Sequence, residues 1–332
     1  MTATALPALT DLVTDAHVVA LPLVTRFRGV DVREALLLRG PEGWTEFSPF
    51  TEYDDAEAAT WLAAAIDFGW HRQPGPVRTR IPVNATVPAV AAADVPGVLA
   101  RFDGCRTAKV KVAEAGQSLD DDVARVRAVR ETMGPEGRVR IDANGAWNLD
   151  EAERALHRLA EFDLEYAEQP CATVDELAEL RRRVKYMGIP IAADESVRKA
   201  SDPVAVARAG AADLLVIKAQ PLGGVRRALA IVAAAGLPAV VSSALDTSVG
   251  LSMGVALAAS LPRLDYDCGL GTAALLAADV APEPLRPHAG ALTLGRVEPD
   301  RDLLRTHAAS PDRRQWWLDR LARCYEVLTA VS

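Results

Sequence analysis

The chain has 332 residues, half of them hydrophobic, and a formal net charge of −8. That length accommodates one parallel βα barrel of about 250 residues beside a smaller module, and the acidic balance argues against a nucleic-acid partner. Its four cysteines, Cys105, Cys171, Cys268 and Cys324, form no CxxC pair, which argues against a structural zinc site and fits a reducing cytosol.

No basic, then apolar, leader opens the chain, so no signal peptide is expected. Residues 17–24 read as a strand, and 26–29 as a loop broken by Gly29. Residues 32–38 and 43–47 continue as strands of a meander. A helix over 54–68 follows, with Asp54 or Asp55 as its N-cap and Gly69 as its stop. This is an α+β capping domain over 1–80, to which a C-terminal segment, 290–332, is expected to return through an amphipathic helix over 313–328. From 81 the pattern alternates. Strands are expected at 81–87, 107–112, 139–142, 164–168, 190–194, 213–218, 239–243 and 264–268. Helices are expected at 94–101, 119–133, 150–162, 173–187, 202–210, 223–236 and 248–261. Eight strands with seven helices between them make an α/β fold, a (β/α)7β TIM-like barrel over 81–289. The Ala-rich stretch 225–238 carries Arg226 and Arg227 and is too short to span a membrane.

The chemistry collects at strand ends. Asp142, Glu168 and Asp194 follow one another at intervals of 26 residues, and Lys218 comes 24 residues later. That interval is about one βα unit, and the C-terminal ends of parallel barrel strands converge on one mouth. A single acid at a strand end is usually solvated or caps the next helix; three in succession, flanked by lysines, are harder to account for that way. Three carboxylates would repel one another unless a cation lay between them, and they make a hard-oxygen site suited to Mg²⁺, with Mn²⁺ as a substitute. Lys109 and Lys111 are two residues apart on a strand and so share a face. A desolvated lysine beside another cation titrates low enough to act as a base. Lys218 is expected on the opposite side of the mouth. Such an array suits removal of a proton α to a metal-bound carboxylate.

The Lys-x-Lys, the three spaced carboxylates and the opposing lysine, in this order, resemble the enolase superfamily over nearly the whole chain. The paired lysines place the resemblance in the muconate lactonizing subgroup. Superfamily members with a catalytic histidine late in the barrel are a poorer match, because residues 240–244 (VVSSA) have none. Residues 23–30 (LVTRFRGV), 140–147 (RIDANGAW), 218–224 (KAQPLGG) and Ser242-Ser243, with the compact length, are similar to the o-succinylbenzoate synthases of actinobacteria. That resemblance implies a Mg²⁺-dependent syn dehydration of 2-succinyl-6-hydroxy-2,4-cyclohexadiene-1-carboxylate in menaquinone biosynthesis. Lys111 would be base and then acid, with Lys218 on the other face and Lys109 beside it. Asp142, Glu168 and Asp194 would be the metal ligands. Asn144, Ser242, Ser243 and Arg26 are the candidate substrate contacts, and Arg26 and Arg28 would lie on a loop over the mouth. The alternative within the superfamily is an N-succinylamino acid racemase or dipeptide epimerase. A non-catalytic barrel is the alternative of another class, and Gly223-Gly224 at a helix start is a weak phosphate signal. The expected partner is a small-molecule carboxylate, with no membrane and no nucleic acid. The sequence does not fix the oligomeric state, and a monomer is compatible with it.

Overall fold

The computed structural model describes residues 6–27, 29–198 and 202–331. A short helix, α1 (Leu9–Val13), leads into three antiparallel strands, β1 (Ala16–Phe27), β2 (Val30–Gly40) and β3 (Gly43–Phe47), in the order β1-β2-β3. Leu36, Leu37 and Leu38 of β2 are all fully buried because both faces of this sheet are covered. Leu36 and Leu38 pack with Trp61 and Leu62 of α2 (Asp55–Trp70). Ala35 and Leu37 face Val249, Leu276 and Val280 on the other side.

Two local expectations change here. β1 continues through Phe27, so Arg26 belongs to a strand and not to a loop; the pairing of Phe27 with Val30 holds it there. Arg28 lies outside the described residues. Asp54 does cap α2, accepting from Glu57 N, but the helix runs past Gly69 to Trp70. Gly69 is there for contact, since a Cβ on it would sit 2.8 Å from Thr45 Cγ2 of β3.

The second sheet has seven strands in the order β11-β10-β9-β8-β7-β6-β5, every pair parallel. Ahead of it in the chain lies β4 (Arg80–Pro82), outside this sheet and paired with a later strand, and its own first strand is β5 (Ala85–Val87). Then come α3 (Val95–Leu99), β6 (Thr107–Lys111), α4 (Leu119–Met133), β7 (Arg138–Asp142), α5 (Leu149–Leu159), β8 (Leu164–Glu168), α6 (Val174–Val184) and β9 (Ile191–Ala193). Two single turns, α7 (Glu195–Arg198) and α8 (Ala205–Arg208), precede β10 (Leu214–Ile217), α9 (Val225–Ala235), β11 (Ala239–Val241) and α10 (Ser248–Ser260). The chain ends with β12 (Ala291–Thr293), α11 (Arg301–Thr306) and α12 (Pro311–Val331). Among the described residues no helix is long and apolar enough to cross a membrane.

The strand expected over 81–87 is split. Its first part, β4, pairs antiparallel with β12, and only β5 joins the barrel. Pro82, with no N–H, cannot carry a continuous ladder. The eighth strand is reduced to two residues. Cys268 bridges to Val83 on one side and Gly269 to Ser242 on the other, closing the sheet between β11 and the start of β5. Residues just before it are tied by other means: Asp267 accepts from Thr107 Oγ1 (2.6 Å) through its side chain and from Arg140 Nη1 (2.7 Å) through its carbonyl.

The same device starts α4, α5 and α6. Ser118, Asn148 and Thr173 each form a capping box with an acid three residues on, Asp121, Glu151 and Glu176. These helices follow β6, β7 and β8, so the turn beyond each of these chemistry-bearing strand ends is fixed in direction. At the C-terminus, α12 returns to the first sheet. Trp317, Leu321 and Cys324 pack with Phe47 and Trp61, and Trp317 Nε1 donates to Glu34 (2.9 Å).

Candidate active site

Thr107, Lys109 and Lys111 alternate with Ala108 and Val110 along β6, and the two apolar residues lie in the core between barrel and helices. The lysines therefore point into the barrel mouth. Asp142 and Glu168 are the last residues of β7 and β8. Asp194 and Lys218 follow directly on β9 and β10. All six are buried, from 0 % exposure for Asp194 to 9 % for Lys111.

The ammonium groups lie among the carboxylates. Lys109 Nζ donates to Glu168 Oε1 (2.8 Å) and stands 3.0 Å from Asp142 Oδ2. Lys111 Nζ donates to Asp142 Oδ2 and Asn144 Oδ1, both at 2.6 Å. Lys218 Nζ donates to Asp194 Oδ2 at 2.5 Å. The two neighbouring lysines differ in how firmly they hold their protons. Burial opposes the charge on Lys109, but Asp142 and Glu168 outweigh it and keep the ammonium well above the usual lysine range. Burial takes Lys111 below that range, against the attraction of Asp142 and with the repulsion of Lys109. Burial also resists the charge on Asp142, yet Lys109 and Lys111 hold its carboxyl well below the usual range. Lys218 and Arg198 likewise overcome burial and hold Asp194 low. Glu168 is the weakly held charge of the three. Burial and the Asp142 carboxylate push it up to about 8 against the pull of Lys109, which divides its charge between two acids.

Glu168 Oε2 and Asp194 Oδ1 are buried and accept no hydrogen bond from any described residue. Buried oxygens left without donors are costly. Two of the three carboxylates thus present an oxygen that suits a hard divalent cation, with Arg198 Nε 3.5 Å from the one on Asp194. Among the described residues no three acidic, histidine or cysteine side chains are arranged to hold a metal ion; Lys109, Lys111 and Lys218 donate to these carboxylates instead. The donor set fits Mg²⁺.

Asn144 links the base candidate to a further acid. Its backbone is left-handed (φ 49°), its Nδ2 donates to Glu195 Oε1 (3.2 Å), and Arg198 Nη2 donates to the same oxygen (2.8 Å). Arg198 also reaches Tyr53 OH (3.1 Å) on the first sheet's side. Ser242 and Ser243 both line the mouth, with Phe27, Thr86, Leu245 and Thr272. The Ser243 hydroxyl already donates to Gly269 O (2.8 Å), and Ser242 Oγ lies 3.5 Å from that carbonyl. Part of what these serines do is to hold the barrel closed. Arg26 does not line the inner mouth. Its side chain is 68 % exposed and stands 3.7 Å from Asp31, on an outer cleft of about 740 Å³ shared with Phe27, Lys111 and Asn144. The inner space is about 30 Å³, room for one water.

Phe27 is the wall residue that the sequence did not reveal. Lys111 Nζ lies 5.4 Å from its ring centroid, a cation–π approach. The only signal was an aromatic between two arginines in a segment that reads as loop. At the helix start expected to suit a phosphate, a Cβ on Gly224 would sit 2.8 Å from Asp67 Oδ2; an acid in that place opposes an anion.

Residues 95–300 match the model of the enolase C-terminal domain-like family, and residues 18–69 that of the enolase N-terminal domain-like family. The chain belongs to the enolase superfamily. Its relatives include the o-succinylbenzoate synthase of Mycobacterium marinum, 56% identical over 321 residues, 96% of each chain. That of Mycobacterium leprae is 56% identical over 328 residues, 98% of this chain and 96% of the relative. That of Mycolicibacterium smegmatis is 55% identical, covering 97% and 98%. Among solved structures, muconate lactonizing enzyme from Pseudomonas putida superposes with a TM-score of 0.74 at 20% identity, over 89% of this chain and 98% of that one. An N-succinyl Arg/Lys racemase from Bacillus cereus gives 0.72 at 20% identity, covering 89% and 97%. At such identities the likeness speaks for the superfamily fold, a seven-stranded parallel sheet curled with its helices beside an antiparallel N-terminal domain.

Proposed function

We propose that this superfamily member is an o-succinylbenzoate synthase, removing water from 2-succinyl-6-hydroxy-2,4-cyclohexadiene-1-carboxylate. The observation that carries the reading is the pair of buried lysines on β6, bonded to the carboxylates at the ends of β7 and β8 with Asp194 beside them. The kinship with proteins named o-succinylbenzoate synthase supports this choice of product.

Asp142, Glu168 and Asp194 would hold Mg²⁺, which when bound supplies positive charge beside the substrate carboxylate and so acidifies the neighbouring C–H. Lys111 is the group that takes this proton. Its burial and the fixed charge of Lys109 favour the neutral amine, and Asn144 and Asp142 orient its nitrogen. The same nitrogen, now an ammonium, returns the proton to the departing hydroxyl, so that water leaves from the face on which the proton was taken. Lys218 reaches the mouth from β10 and faces the anionic ring from the side opposite Lys111. Phe27 excludes water on the Lys111 side. The ring becomes aromatic as water leaves, so the site chiefly has to position the substrate and hold charge.

The test is turnover of the purified protein with the cyclohexadiene carboxylate and Mg²⁺. A second reading, 1,1-proton transfer on an N-succinylamino acid or dipeptide, is favoured by Lys111 and Lys218 lining one mouth from β6 and β10. Racemisation of a single enantiomer much faster than dehydration would replace the first reading by the second.

A further inference from the structure

A second buried polar cluster joins the N-terminal sheet to the wall of the mouth. Arg33 of β2 is 3% exposed. Its Nε donates to Leu245 O (3.0 Å), and one terminal nitrogen reaches Ala244 O (3.4 Å) and Ser48 Oγ (3.0 Å) as well as Ser48 O. The guanidinium lies 4.5 Å over the Phe50 ring. From the barrel side, Asp246 accepts from Ala244 N (3.3 Å) and from Gln220 Nε2 (2.9 Å), two residues beyond Lys218. Glu46 of β3 accepts from Thr247 N and Gly250 N at the start of α10 (both 3.1 Å). A Cβ on Gly250 would sit 2.6 Å from its carboxyl carbon, so only glycine lets the acid approach.

What this cluster holds is unusual. Leu245 has a left-handed backbone (φ 63°), a conformation that side-chain-bearing residues keep only when their surroundings impose it. Ala244 and Leu245 line the mouth with Lys218 and Ser242. Both carbonyls of this strained turn face the same guanidinium, carried by a different domain. A strained backbone held from outside its own element is a reason to look for function at that element.

We propose that Arg33 is a positioning residue for the reaction: from the N-terminal domain it clamps the 244–245 turn, so that Leu245 forms a fixed wall beside Lys218 and limits the room for the substrate's arm remote from the reacting carbon. This rests on the reading of the mouth given above. Arg33 touches neither substrate nor metal ligands in this account; it acts through the turn.

The experiment compares the Mg²⁺-loaded full chain with Arg33→Met and Leu245→Ala, singly and together. With the wall released, KM for the cyclohexadiene carboxylate rises about tenfold or more while kcat stays within about threefold, the signature of lost binding common to ground and transition states. Leu245→Ala then adds little to Arg33→Met, because both remove the same wall. Mg²⁺ affinity is unchanged. Amide hydrogen exchange over residues 243–247 accelerates in Arg33→Met, while the β10 amides keep their protection. An unchanged KM, or fully additive effects, in a folded variant overturns the proposal even if exchange is faster, for the clamp would then be structural only. If Arg33→Met does not fold, Asp246→Asn, which keeps the size of the side chain and loosens the same turn, is judged by the same criteria. A wild type that does not dehydrate this substrate defeats the functional reading instead. The exchange experiment, which needs no substrate, then decides the clamp alone, and unchanged protection over 243–247 overturns it.

Discussion

Glu46 gives a quantitative test of how the two sheets are joined. It is fully buried, and besides the two amides at the start of α10 it accepts from Ser48 Oγ and Thr247 Oγ1, both at 2.5 Å. Burial and the charge of buried Asp246 nevertheless raise it from 4.5 to about 7, against these hydrogen bonds and the pull of Arg33. For an acid raised by folding, the folded chain binds the extra proton between the two values, so stability falls as pH rises through that window. The rise from 4.5 to about 7 corresponds to about 3 kcal/mol, at about 1.4 kcal/mol per pH unit. The loss is absent below about pH 4.5 and complete above about pH 7. Glu46→Gln keeps the size of the side chain and cannot ionise. The stability of the variant minus that of the wild type should therefore increase by up to about 3 kcal/mol between about pH 5 and about pH 8. Thermal and urea unfolding of both proteins across that range measure it, and titrating groups that do not interact with Glu46 cancel in the difference. Asp246→Asn should flatten the wild-type slope in the same window by removing the neighbouring charge. Parallel pH curves for wild type and Glu46→Gln would refute the reasoning, since Glu46 would then be no more reluctant to ionise folded than unfolded.

The other expectations concern the mouth and the C-terminal helix. Exhaustive EDTA treatment should abolish turnover and Mg²⁺ restore it, and Asp142→Asn, Glu168→Gln and Asp194→Asn should each weaken Mg²⁺ binding in calorimetric titration; turnover indifferent to EDTA speaks against the metal. Lys111→Ala should abolish both dehydration and exchange of the substrate α-proton with deuterated solvent, and exchange at the wild-type rate would remove Lys111 as the base. Lys218→Arg keeps the charge but not the compact shape, so it should lose much of the dehydration rate while α-proton exchange through Lys111 survives; loss of both together would give Lys218 a share in proton transfer. Trp317→Ala, which empties a fully buried site against Phe47 and leaves Glu34 without the indole donor, should destabilise the fold by about 3–5 kcal/mol, read from unfolding midpoints.

Much of this protein is legible along the chain because it is built from local rules. The βα period and the acids and lysines at strand ends follow from spacing and from alternation on a strand. Those strand ends meet because a curled parallel sheet turns its C-terminal edges inward, so a one-dimensional interval becomes a shared site. Other features depend on groups far apart in sequence. No local signal shows that the eighth strand shrinks to Cys268 and Gly269, since its ties are to Val83 and Ser242, far off in the chain. Arg26 and Phe27 read alike as loop until the β1–β2 pairing turns one to solvent and the other onto Lys111. Arg33, Glu46 and Asp246 look in sequence like ordinary surface charges; only the seating of the first sheet on α10 buries them together, some 200 residues apart. Period and propensity are properties of neighbours in the chain and can be read there. Burial, and the pairing it enforces on charges, belong to the assembled fold, and in this protein the tertiary structure alone decided them.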